Sequence, residues 1–302
     1  MQTPVLLIIF NRSDTALQVL SRIKEAGVQK LYIYSDGPRQ SHPNEAAELL
    51  SVQQSIQKHI DWPCQVHFLF ETANFGPRIA IGRGIHWLFE NEEQGIVFEH
   101  DCLPDLSFFD FCEQLLHKYA TDEQIMHISG NNFQFGKTWG DGDYYFSHLN
   151  HIWGFATWRR AWMHYDVDMK AYPTFIKENR LKQIYSNKRM QKIWKQIFDK
   201  TYNKQLATWD YQWTFACWNN YGLSILPNQN LVSNIGFDAL ALNTKNPNHA
   251  VAALQTHSLN AIKHPSNKHA IVAADEFTIL KVFNPTIAYF AWQKFKKLIF
   301  KA

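Results

Sequence analysis

The strongest constraint on the fold is an alternation. Five short apolar runs, Val5 to Phe10, Leu31 to Tyr34, Val66 to Phe70, Ile96 to Phe98 and Ile125 to Ile128, are separated by stretches with helical periodicity. Continuous apolar runs of this length fit strands buried on both faces, as in a parallel sheet. Strands alternating with helical segments predict an α/β fold, a Rossmann-like, mostly parallel sheet flanked by helices through right-handed crossovers. The intervening segments read accordingly. Ser13 is placed to N-cap a first helix whose Leu17, Leu20 and Ile23 share one face, and Gly27 stops it. Asn44 to Ile60, Pro77 to Phe89 and Leu106 to Tyr119 are the next helices, and Tyr144 to Ser147 is an outer strand. Leu223 to Leu226 and Leu231 to Val232 read as short edge strands.

Each strand runs into polar residues: Asn11 and Arg12, then Ser35 and Asp36, then Glu99, His100 and Asp101, then Ser129, Gly130, Asn131 and Asn132. Ligands of open α/β sheets bind outside the carboxyl ends of the strands. The stretch Gly95 to Phe109, GIVFEHDCLPDLSFF, stands out because its acid-x-acid pair offers oxygens to a hard divalent cation at about 2.0 to 2.4 Å. The same acids would also serve as caps of the following helix. No G-x-G-x-x-G follows the first strand and no P-loop occurs, so neither common phosphate cradle is present. The glycines at 76, 82 and 84 fit close packing or a turn.

Net charge is +3, from 30 basic and 27 acidic side chains, which argues against a nucleic-acid partner. Cys64, Cys102, Cys112 and Cys217 show no paired spacing, which favours a reducing compartment. The first residues, MQTP, lack a basic leader region, and the six-residue apolar run after them is shorter than a signal core or a membrane span; a cytoplasmic protein is expected. His148 and His151 have a spacing too common to point to zinc.

In HIWGFATWRRAW, residues 151 to 162, the residues Trp153, Gly154, Trp158 and Trp162 fit either a sugar-stacking wall or aromatic packing around a helix start. Residues 170 to 205 are helical in pattern and read as an insertion, with Trp194, Ile197 and Phe198 on one apolar stripe. Asp210 stands among Trp209, Tyr211 and Trp213 at a helix start, where a desolvated carboxylate suits a general base and an ordinary N-terminal helix acid is the alternative. Pro285 opens a terminal helix whose aromatics alternate with Lys294, Lys296, Lys297 and Lys301. It suits either a membrane interface or docking on the domain.

Taken together, FNR after the first strand, SDG after the second, NFG before the third helix, FEHDCLP, SGNNF, HIWGFATWRRAW, TWDYQW and LVSNIGF resemble a family of bacterial nucleotide-diphospho-sugar transferases. These are glycosyltransferases of the GT-A fold, and the chain is more remotely similar to the animal N-acetylglucosaminyltransferase I group. The likeness covers about residues 4 to 245, with 246 to 302 as a C-terminal segment. It implies an inverting transfer from a nucleotide-diphosphate sugar donor to a saccharide acceptor, lipid-linked acceptors included, in surface polysaccharide synthesis. It nominates Asn11, Arg12, Asp36, Asn74, Gly76, Arg78, Arg83, Glu99 and His100 for the nucleotide sugar. Asp101 would be the direct ligand of Mn²⁺ or Mg²⁺, and Asp210 the catalytic base. Asn131, Trp153, Gly154 and Trp209 are the candidates for the acceptor or sugar pocket. Two positions depart from the family pattern: His100 replaces the middle acid of the usual Glu-Asp-Asp, and Asn243 stands where relatives often carry His. An imidazole offers a hard cation less negative charge. A nucleotidyltransferase or metal-dependent hydrolase on a similar sheet, and a non-catalytic sugar-nucleotide-binding protein, are the rival readings.

Overall fold

The structure is a computed structural model that describes residues 1–237, 250–252 and 254–283. Asn243 and the expected terminal helix lie outside the described residues. The first half of the chain is β1 (Val5–Ile9), α1 (Ser13–Glu25), β2 (Lys30–Ser35), α2 (Glu45–His59), β3 (Gln65–Phe70), α3 (Pro77–Asn91), β4 (Gln94–Glu99), β5 (Cys102–Pro104) and α4 (Ser107–Lys118). There follow β6 (Ile125–Ser129), β7 (Tyr144–Ser147), β8 (Phe155–Trp158), α5 (Arg159–Trp162), α6 (Tyr172–Lys177), α7 (Arg180–Ile184), α8 (Lys188–Tyr202), α9 (Asp210–Asn219), β9 (Leu223–Pro227), β10 (Val232–Asn234), α10 (Val272–Thr278) and a π-helix (Ile279–Phe283).

Eight strands form the central sheet in the order β3-β2-β1-β4-β8-β6-β9-β7. The first four are mutually parallel, and β6 and β9 run the same way, while β8 and β7 run against them. This is the mainly parallel α/β fold that the alternation predicts. Helices cover both faces, and β1 shows why its run is continuously apolar: Val5, Leu7 and Ile9 enter one core while Leu6 and Ile8 enter the other. The first core also takes apolar faces of α1, α2 and α4, and the second takes those of α3, α8 and α9.

Four expectations are corrected. Between β4 and β6 lies β8, antiparallel to both, built from residues read as a possible helix start. Its last residue, Trp158, and the nearby Trp162 are core residues: Trp158 donates its indole N–H to the Leu116 carbonyl at 3.1 Å, and Trp162 stacks on Tyr165. The strand β9 is interior, between β6 and β7, whereas β10 leaves the main sheet and pairs with β5. Ser13 begins α1 and Arg12 occupies the cap position without a capping side-chain bond; Arg12 pairs with Asp14 instead.

The segment read as helical, 170 to 205, contains α6, α7 and α8, whose Phe175, Trp194 and Phe198 pack with Phe215 and Trp218 of α9. Among the described residues no helix is long and apolar enough to cross a membrane.

Candidate active site

Six strands end at one edge of the sheet, and β8 starts there, so the polar residues that follow the apolar runs are gathered by topology alone. In register, Glu99 at the end of β4 lies beside Ile8 of β1, just before Asn11 and Arg12. Asn11 is exposed, and Arg12 is near enough for its charge to act on His100.

The acidic strand end is an electrostatic cluster. Burial pushes the Glu99 carboxyl up to about 8, and the charges of Asp101 and Asp210 push the same way, against one hydrogen bond from the Trp209 side chain. Asp210, at the first turn of α9, is lifted by burial to about 6. The Thr208 hydroxyl donates to its Oδ1, which fixes the carboxylate's orientation. Two residues proposed from separate motifs more than a hundred positions apart therefore sit within electrostatic reach of each other. Burial holds His100 toward its neutral form, with Asp101 opposing that shift. Asp101 is crowded by the return of β10: its carbonyl accepts from Ile235 N at 2.9 Å, and a Cβ on Gly236 would lie 2.2 Å from Asp101 Oδ2. No group of three His, Cys, Asp or Glu is gathered as a metal site among the described residues.

Asp36 pins the turn before α3. Its carboxylate accepts from Gly37 N, Asn74 Nδ2, Phe75 N and Gly76 N, at distances of 2.9 to 3.2 Å. These bonds hold the NFG turn to the end of β2, with Gly76 at φ +72° capping α3. Arg78, in the first turn, gives Nη2 to the Val167 carbonyl at 2.7 Å and to Asp168 at 3.2 Å, while its buried Nε has no partner. Arg83 is engaged by Glu71, at 2.9 and 2.7 Å, and lies over the Phe75 ring.

Of the pocket candidates, Trp209 is buried, and its side chain lies close enough to Glu99 to favour that acid's charged form. Asn131 accepts from Trp153 N at 3.2 Å, and Gly154 at φ +64° accepts from Gly130 N at 2.8 Å, which ties the exit of β6 to the entry of β8. Trp153 is half-buried against Phe133 and Phe237.

Two residues here, Tyr165 and Asn150, carried no sequence signal, and His151 stood out only as half of a histidine pair and as the start of HIWGFATWRRAW. Tyr165 stacks on Trp162 with centroids 4.4 Å apart, has a buried hydroxyl with no partner, and feels both Asp210 and Arg78. Asn150 Oδ1 lies 2.5 Å, and the Asp210 backbone carbonyl 3.1 Å, from the Thr214 hydroxyl, whose single hydrogen serves one of these two acceptors. His151 is buried beside Phe133. They reach the site through the return of β8 and the docking of α9, which local spacing does not encode.

No family model and no curated protein matches the chain. Among solved structures the chain is similar to HddC from Yersinia pseudotuberculosis complexed with GMP-PN, at 12% identity over 53% of this chain and 78% of that one, with a TM-score of 0.33. It is similar to a UTP-bound UGPase from Acinetobacter baumannii, at 12% identity over 55% and 77%, with a TM-score of 0.31. Mouse xyloside xylosyltransferase 1 is similar at 9% identity over 72% and 80%, with a TM-score of 0.34. Likenesses this distant carry no substrate across.

Proposed function

We propose that this protein is an inverting glycosyltransferase that moves a sugar from a nucleotide-diphosphate donor to a hydroxyl of a saccharide acceptor. The observation that carries the reading is the pairing of Asp210, lifted to about 6, with the acidic end of β4 across one site. A base with a pKa close to the working pH is both ionised and strong enough to take a proton in the transition state. In the reaction, Asp210 takes the proton of the acceptor hydroxyl as its oxygen bonds to the anomeric carbon. The bond from that carbon to the phosphate oxygen breaks, and the nucleoside diphosphate leaves with the electron pair. Attack opposite the leaving group inverts the configuration. The partnerless Nε–H of Arg78 is a buried donor for the charge that develops on the diphosphate.

A Mn²⁺ or Mg²⁺ ion fits this donor set only if the substrate completes it. Asp101, with Glu99 near, supplies one or two carboxylates, and magnesium is commonly held by that number plus substrate phosphates. Bound there, the ion would offset the charge of the departing diphosphate. The protein is placed in the cytoplasm in this reading, acting on surface-polysaccharide acceptors that include lipid-linked ones.

The test is product analysis with a panel of sugar nucleotides and oligosaccharide acceptors. A new glycoside of inverted anomeric configuration plus one equivalent of nucleoside diphosphate is expected. Pyrophosphate exchange between a nucleoside triphosphate and a sugar phosphate, without glycoside, would replace this reading with a nucleotidyltransferase.

A further inference from the structure

Two stretches of chain run side by side where β6 ends and β8 begins, and besides Asn150 Nδ2 they leave a buried polar atom unused on Asn131 and another on His151. Asn131 is 0% exposed; because its Oδ1 accepts from Trp153 N, the free atom is Nδ2, a donor, and it has no partner. His151 is 2% exposed and its Nε2 has no partner. A buried polar group left unsatisfied costs about 1 to 3 kcal/mol, so each of these atoms calls for a partner.

Their surroundings are aromatic. The Phe133 ring lies 4.6 Å from His151, 5.0 Å from Trp153 and 6.4 Å from Phe283, between centroids, and His151 is 6.3 Å from Phe283. The imidazole is neutral: burial and the neighbouring His127 push it down to about 3. His127 itself is committed, taking the Trp213 indole N–H on Nδ1 and donating from Nε2 to the His151 carbonyl.

We propose that Asn131 and His151, walled by Phe133, Trp153 and Phe283, form a subsite for an N-acyl substituent of the acceptor saccharide. The amide carbonyl takes the Asn131 Nδ2–H, the amide N–H gives to His151 Nε2, and the methyl rests on the rings. With no cation in the set, a carboxylate is disfavoured. A hydroxyl would satisfy the polar atoms but leave the aromatic walls uncovered. The acceptor is assigned here because Asn150, the residue before His151, contacts Thr214 of α9, whose hydroxyl also approaches the Asp210 backbone carbonyl, so this stretch of chain packs on the first turns of the helix that carries the base. This assignment rests on the glycosyltransferase reading above.

The experiment compares methyl 2-acetamido-2-deoxy-β-D-glucopyranoside with methyl β-D-glucopyranoside by saturation-transfer NMR and titration. It uses the wild type, Asn131→Asp and Phe283→Ala, and thermal shifts with nucleoside diphosphates are recorded on the same samples. Asn131→Asp keeps the oxygen that accepts from Trp153 and replaces the donor; Phe283, 38% exposed, can be shortened without opening the core. The acetamido sugar is expected to bind about tenfold tighter, with strongest transfer to its acetyl methyl. That preference should vanish in Asn131→Asp and weaken in Phe283→Ala. If Asn131→Asp fails to fold, Phe283→Ala decides. Equal binding of the two glycosides, or a preference untouched by the variants, overturns the subsite; a retained nucleotide shift would then leave the transferase reading standing, and loss of both would remove it as well.

Discussion

Gly154→Ala should be among the most damaging single-methyl additions in this protein. The residue sits at φ +64°, and a Cβ there would lie 2.9 Å from Val232 Cγ2 and 3.0 Å from Phe98 Cε1. Two costs add. A left-handed L-residue costs about 1 to 2 kcal/mol, and forcing a methyl into a packed core costs about 1 to 3 kcal/mol, giving roughly 2 to 5 kcal/mol. Neither neighbour yields easily, since Phe98 and Val232 are fully buried. Gly27→Ala is the internal control: Gly27 has φ +66° with nothing within 4 Å of the added Cβ, so it carries the backbone cost alone. Thermal and denaturant unfolding of both variants measure the difference. At roughly 2 to 4 °C per kcal/mol for a chain of this order of size, Gly154→Ala should lower Tm by about 4 °C or more, and by clearly more than Gly27→Ala. Equal losses in the two variants would refute the steric half of the argument, and with it the tight junction of β4, β8 and β10 that sets Trp153 in place.

Two further outcomes follow from the buried carboxyls. Asp210 at about 6 must be ionised to act, so kcat/KM should fall about tenfold per pH unit below 6, and Asp210→Asn should be slower by about 10² to 10⁴ and lose that acid limb; an acid limb that persists in the variant would remove Asp210 as the base. Asp275, buried with Ser147, His148 and Tyr185 as its donors, is raised from 3.8 to about 7. The folded state therefore binds more protons than the unfolded one between those values, and this group's contribution to stability is greatest below about 4 and is lost as pH rises through about 7. The unfolding free energy of the wild type minus that of Asp275→Asn should decline across that range, and parallel pH curves for the two proteins would contradict it.

The parts of this molecule that were legible in the sequence are those whose signal is local. Strands β1, β2 and β4 are buried on both faces, so their apolar runs are unbroken, and Asp210 is marked by its aromatic neighbours at a helix start. The strand β8 escaped because FATW is four residues long, flanked by Gly154 and Arg159, and defined only by its antiparallel partners on either side. Leu223 to Leu226 was read as an edge because it is short; its place between β6 and β7 depends on pairings about a hundred and about eighty residues away. Asp36 shows the same limit from another side. Its position after a strand was visible, but not that four N–H groups of the chain itself take up its carboxylate. Tyr165, Asn150 and His151 enter the site only through tertiary packing.

The central claim is that the strand-end acids and Asp210 surround a nucleotide-diphosphate sugar, and donor binding tests it most directly. Melting would be followed with a panel of nucleoside diphosphates and sugar nucleotides, each with Mn²⁺, Mg²⁺ or EDTA, for the wild type and Asp101→Ala. A ligand at 100 times its Kd stabilises the fold by about 2.7 kcal/mol, a shift of several degrees. The account predicts a shift for the sugar nucleotides of one base, dependent on the cation and lost in Asp101→Ala. No shift with any sugar nucleotide would contradict it.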